Sequence, residues 1–249
     1  MAFTPYITIY PEGNFDYSWS GDSSIRAMLI FSKHLDYNKS LFRKRVNIHL
    51  GDEERIHPHG SIKSIWIKNP VDTSLQQNEV DKINIFLKII YDSLIKIATI
   101  EGWDITSFEK AYQLSLADQG IFISHTPFKA NKSRSLKARI KHTLDKGGKV
   151  PVVAEFVDAK SNAQFEIPVI DTYLYFIDWE RAFEKPVWLD NEKFGFNFLK
   201  SQLQIFANTA SGQSETVISE KDRSREEIEY QLTRLTYESK SGKNGEVAS

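Results

Sequence analysis

SLQQNEVDKINIFLKIIYDSLIKIATIEG, residues 74–102, reads as a helix with both ends signed. Ser74 and Gln77 form one candidate capping box, Asn78 and Asp81 a later start, and Glu101-Gly102 a C-terminal stop. Between Val80 and Ile100, 13 of 21 residues are apolar, and they fall on nearly all sides of a helical projection. A helix so poorly divided into wet and dry faces belongs in a core. The stretch therefore predicts a long central helix over 75–101 with a sheet packed on it.

Upstream the chain is strand-rich. Tyr6–Tyr10 and Phe15–Trp19 alternate around the turn cluster Pro11–Asn14, as a hairpin does. Val46–Leu50 and Ile62–Ile67 read as two more strands joined by the polar loop Gly51–Gly60, while Ser24–Phe31 fits a short helix or a strand. Downstream, Thr106 and Glu109 form a capping box for a helix to about Asp118, stopped by Gly120, and Ile121–Ile123 is a short strand. Ser135–Asp145 fits a basic helix carrying Leu136, Ile140 and Leu144 on one side. Val150–Val157 and Phe165–Ile177 pair across the turn Ala159–Asn162, with Pro151 and Pro168 marking edges or bulges. A further helix is expected over Lys193–Ala207. The class this order implies is α+β, a largely antiparallel sheet packed on a long central helix. Residues 1–208 form a single globular domain, and residues 209–249 a polar, charged tail with a short helix at 219–238.

Composition narrows the function. An apolar content of 41% and an aromatic content of 12% suit a packed globular chain of 249 residues, and a net charge of −1 gives no bulk attraction to nucleic acid or membrane. The absence of cysteine excludes disulfides, thiolate metal sites and thiol nucleophiles, and fits a reducing compartment. Ile83–Ile100 is the most apolar stretch, but Lys88, Asp92 and Lys96 interrupt it, so it is not a bilayer span. Residues Met1–Tyr6 show no basic region leading into an apolar one. The expectation is a soluble, cytoplasmic protein with no membrane partner.

Residues 129–149 carry the strongest local charge: Lys132, Arg134, Lys137, Arg139 and Lys141, with His142 among them, against one acid, Asp145. Such a cluster grips phosphates or an acidic protein partner, although no aromatic residue within it offers a stacking surface. His49, His57 and His59 lie close together beside three acids and are the candidate metal ligands, at a spacing that matches no zinc signature. Two stretches bear a local resemblance to known catalytic layouts. His34-Leu35-Asp36, with His125 as a third ligand, resembles the His-x-Asp pair of facial-triad iron oxygenases, but only 33 residues precede it. Asp145, the apolar strand and Asp158-Ala159-Lys160 resemble the acid, strand, acid-x-Lys layout of restriction-type nucleases, which implies magnesium on the two acids and a water-positioning Lys160. About three such acid-x-Lys triplets arise by chance in a chain of this composition, and two are present.

Phosphate-binding loops, Gly-x-Ser-x-Gly elbows and His-Glu-x-x-His motifs are absent from the sequence. The leading reading is therefore a non-catalytic binding protein with no cofactor, of accessory, immunity or regulatory type. It acts through a macromolecular partner, a protein foremost and nucleic acid second. The alternative is a magnesium-dependent, nuclease-like enzyme using Asp145, Asp158 and Lys160 beside the basic segment 129–149.

Overall fold

The computed structural model describes residues 7–12, 22–35, 45–59, 62–69, 77–144, 149–173, 183, 185–221 and 223–236. The expected strand over 15–19, Asp145 and the chain beyond 236 lie outside them. The chain divides into two compact units, Phe3–Phe122 and Ile123–Ser249 with Met1–Ala2.

In the N-terminal unit, strands β1 (Ile7–Pro11), β2 (Arg45–Gly51), β3 (Arg55–His59) and β4 (Ile62–Lys68) form a mixed sheet in the order β1-β2-β4-β3. β1 and β4 both run parallel to β2, and β3 turns back antiparallel on β4. Period-two alternation sends Val46, Ile48 and Leu50 of β2 and Ile65 and Ile67 of β4 to the buried face. Helices α1 (Ser23–His34), α2 (Glu79–Glu101) and α3 (Thr106–Ala117) pack with one another, and α1 and α2 reach the sheet at β1 and β4. The segment 24–31, ambiguous in sequence, is helical because Ala27, Ile30 and Phe31 fill one side of α1.

α2 begins at the later of its two candidate starts: the Asn78 side chain accepts from the Asp81 amide at 2.9 Å, and Gly102 closes the helix at φ 67°. It is a member of a helical layer and not a single central helix. Ile83, Phe86, Ile90, Leu94 and Ile97 are buried at three- and four-residue spacing, each such side chain contributing roughly 1.5–3 kcal/mol. Lys88, Asp92 and Lys96 line a wet side, with Lys88 and Asp92 paired at 2.9 Å. Ile89 is buried as well, whereas Ile100 is 61% exposed. α3 forms where expected without its capping box; the Asp104 carboxylate accepts from the Thr106 amide instead, and that bond holds its carboxyl below the usual range.

The C-terminal unit is built from antiparallel sheets. β5 (Phe122–His125), which straddles the division between the units, leads to β6 (Lys129–Ala130), β7 (Leu136–Leu144), β8 (Lys149–Asp158) and β9 (Gln164–Tyr173). They form one sheet in the order β5-β7-β8-β9, with β6 paired on β7. β10 (Val187–Trp188), β11 (Lys193–Phe198), β12 (Leu203–Asn208) and β13 (Gln213–Ile218) form the second, and β9 lies against β12 and β13. Pro168 sits at the register shift in β9, where the ladder already loses a hydrogen bond.

Two expected helices are strands here. Residues 136–144 form β7 because the inward set is Ala138, Ile140, His142 and Leu144, a period of two. Residues 193–207 split into β11 and β12, with Phe194 and Phe196 buried, and the tight left-handed turn Leu199–Lys200–Ser201 joins them. Gly195 is required, since a Cβ there would stand 2.2 Å from the Ile205 carbonyl oxygen. The helix expected at 219–238 is α4 (Arg225–Thr236), capped by Ser224 and Glu227, whose side chains each bond the other's amide at 3.3 and 3.2 Å. It buries Ile228 and Leu235 and packs on β9. Among the described residues no helix is long and apolar enough to cross a membrane.

Candidate functional site

Helices α1 and α2 pack on one face of their sheet, and among the described residues the other face is open: Tyr10, Arg45, Arg55, His57, Ile62 and Lys68 are all exposed. Strand register aligns one residue from each strand into a row across it, Tyr10–His49–Trp66–Arg55. The rings of Tyr10 and His49 stack at 5.2 Å between centroids, and those of His49 and Trp66 at 4.3 Å and 9°. The Arg55 guanidinium lies over Trp66 at 4.3 Å and closes the row, while His57 meets the indole edge-on at 5.5 Å.

Polar bonds hold these rings in place. Glu12 Oε1 accepts from the Trp66 indole N–H at 3.0 Å and stands 2.8 Å from His49 Nδ1. A neutral His49 held this way carries its proton on Nδ1 and keeps Nε2 as an acceptor. Arg45 Nη2 donates to the Tyr10 hydroxyl at 3.2 Å and to Thr8 Oγ1 at 3.4 Å. The result is a half-buried aromatic row with cations at its margins. On the opposite, helix-facing side, Lys63 is 5% exposed and pairs with Glu101 at 2.8 Å, a structural tie between sheet and α2.

The basic segment singled out by the sequence is compensated in part, at Arg139 and Lys141. On β7 the Arg139 guanidinium bonds the Glu155 carboxylate of β8, and Lys141 bonds Glu166 of β9 at 2.6 Å and approaches Glu155 at 3.5 Å. Burial alone raises the Glu155 carboxyl, but the Arg139 hydrogen bond and the charges of Arg139, His125 and Lys141 outweigh it and hold it below its ordinary value. The Glu166 bond raises Lys141. Burial, then the Arg139 charge, pulls the His125 imidazole down. Lys132, Arg134 and Lys137 are exposed, without an ion pair among the described residues.

The acid-x-Lys triplet falls at a hairpin tip. Asp158 Oδ1 accepts from the Lys160 and Ser161 amides and the Ser161 hydroxyl at 2.8–2.9 Å, bonds that pull its pKa down, led by the Ser161 amide. Lys160 is exposed in that turn and Asp145 lies outside the described residues. The geometry places no lysine in a cleft beside the acid. Among the described residues no three His, Asp or Glu side chains are grouped to hold a metal ion. His49 and His57 instead contact Trp66, and the side chain of His59 is not described. His34 pairs with Asp118 at 2.8 Å and His125 approaches Glu155 at 3.7 Å, so the two histidines of the His-x-Asp reading are engaged separately; Asp36 is outside the described residues.

The sequence shows three of the four strands that carry the row; the fourth, β3, lies within the stretch Gly51–Gly60 expected as a polar loop, and pairs antiparallel with β4 from Arg55 to His59. Alternation along Tyr6–Tyr10, Val46–Leu50 and Ile62–Ile67 already places Tyr10, His49 and Trp66 opposite the apolar side chains of their own strands. Joining them requires the strand order, which lies in long-range pairing. The chain matches no protein-family model, no curated protein and no solved structure.

Proposed function

We propose that this is a binding protein with no chemistry of its own, acting through a macromolecular partner in an accessory, immunity or regulatory role. The observation that carries the reading is the open sheet face. An aromatic residue as large as Trp66, stacked, hydrogen-bonded and capped by the Arg55 guanidinium on a solvent-facing surface, has the composition of an interface anchor. Tryptophan and arginine in such a setting are the residue types whose truncation most often costs an interface 2 kcal/mol or more, by order of magnitude.

The reading is tested in cells of the source organism with a photo-crosslinking amino acid in place of Tyr10. A discrete adduct is expected, and it should disappear when Trp66→Ala and Arg55→Ala are added. The same probe at Lys110, exposed on α3, should yield none. No adduct from Tyr10, or an identical one from Lys110, would sink the assignment of this face.

A further inference from the structure

Resting on that binding role, we infer that the open face of the N-terminal sheet takes single-stranded nucleic acid, with bases stacking at the ends of the Tyr10–His49–Trp66–Arg55 row and phosphates on Arg45, Arg55 and Lys68. The row runs from one edge strand to the other, because β1 and β3 are the outer strands of the order β1-β2-β4-β3. Its inner ring faces are filled by one another, which leaves the two ends as planar surfaces. At one end Tyr10 is 37% exposed, and His49 is its only ring neighbour among the described residues. At the other the Arg55 guanidinium has one face on Trp66, and its side chain is 49% exposed. Every base has a π-face to lay on such surfaces, so recognition of this kind tolerates any sequence.

The charges are placed to follow a backbone across the row. The Arg45 backbone lies four residues before His49 on β2, roughly 13 Å to one side of the row, and its guanidinium reaches back to the Tyr10 hydroxyl at 3.2 Å; Lys68 lies two residues past Trp66, roughly 7 Å to the other side. A strand crossing between them passes a cation on each side of the rings. Two acids border that track. Glu12 is held by the Trp66 indole and His49, and the Glu53 carboxylate stands 3.8 Å from Arg55 in a pair 77% exposed on the glutamate side, which a phosphate displaces easily. A segment of acidic side chains alone would use the same three cations but carries no π-face to lay on Tyr10 and the outer face of Arg55. A duplex keeps its bases stacked inside and cannot reach them.

The experiment is fluorescence anisotropy of the full chain with a labelled 12-nucleotide single strand, a duplex of the same sequence, and polyglutamate as competitor, between 50 and 200 mM salt. Three phosphate contacts give a slope of about −2 in log affinity against log salt, a loss of about 20-fold over that range. The variant R45A/R55A/K68A should bind at least about tenfold more weakly at the low-salt end with a slope near zero, and Tyr10→Leu about tenfold more weakly with its slope unchanged. K88A/K96A/K110A removes the same charge from the helical layer and should bind as the wild type does; circular dichroism of each variant confirms folding. Equal binding of the duplex, displacement by polyglutamate at equal charge, no binding of the single strand, or equal loss in the helical-layer variant overturns the inference. Where the single strand does not bind but the Tyr10 crosslink persists in cells, nucleic acid falls and the binding role stands; where both fail, both fall.

Discussion

At the scale of single residues, His142 is the one whose surroundings most change its meaning. In the sequence it counts with the basic segment. In the fold it points inward from β7, 4% exposed, with Ser124 Oγ at 3.4 Å from Nδ1. Burial, aided by the nearby charge of His125, pulls its pKa down to about 4. The sign follows from proton counting. Between pH 6.5 and about 4 the unfolded chain holds the proton and the folded chain does not, so stability is intact above 6.5 and drains away as pH falls through that window. The full loss is roughly 3 kcal/mol. His142→Leu, of similar volume and without a titrating group, should therefore flatten the dependence. Urea midpoints at pH 7 and pH 4.5 measure it, and an unchanged difference between the two in the variant would show that another group carries the acid sensitivity.

At the scale of elements, legibility depended on whether a pattern admits one period or two. α2 was readable because its buried residues at 83, 86, 90, 94 and 97 repeat at three and four, and because Asn78 and Gly102 stand at its ends. β7 was misread because Leu136, Ile140 and Leu144 repeat every four residues, which is both a helical turn and twice the strand repeat. The deciding positions were Ala138 and His142, small or polar by type yet buried in fact. The hairpin β11–β12 shows the same ambiguity, settled by a contact invisible in sequence: the close approach of the Gly195 backbone to β12. Gly195→Ala should destabilise the protein by roughly 2–4 kcal/mol, because its methyl group would stand against backbone atoms of Ile205 and Phe206 that cannot swing aside. Ala210, exposed in the turn after β12, provides the comparison: Ala210→Gly should change the thermal midpoint little. A Gly195→Ala midpoint within a degree or two of the wild type would mean that the two strands are not so closely paired.

At the scale of the molecule, the charge inventory and the charge layout point to different surfaces. Counting cations along the chain selects residues 129–149, and the fold sets acids from β8 and β9 directly across from them: Arg139 faces Glu155, and Glu155 faces Glu166. Strand pairing brings those acids in from 16 and 25 residues away, so no local window could have shown the compensation. The N-terminal face has the reverse history, with Arg45, Arg55 and Lys68 too scattered in sequence to read as a cluster and gathered only by the order β1-β2-β4-β3. The two surfaces therefore respond differently to the loss of three charges. On a polyanion column, K137A/R139A/K141A should lower the eluting salt concentration only slightly, since two of its three cations already serve carboxylates, and R45A/R55A/K68A should lower it by a clear margin. Both variants shift the net charge equally, so a difference between them isolates local placement from bulk charge. The reverse order, or equal shifts, would return the polyanion surface to the segment that the sequence first singled out.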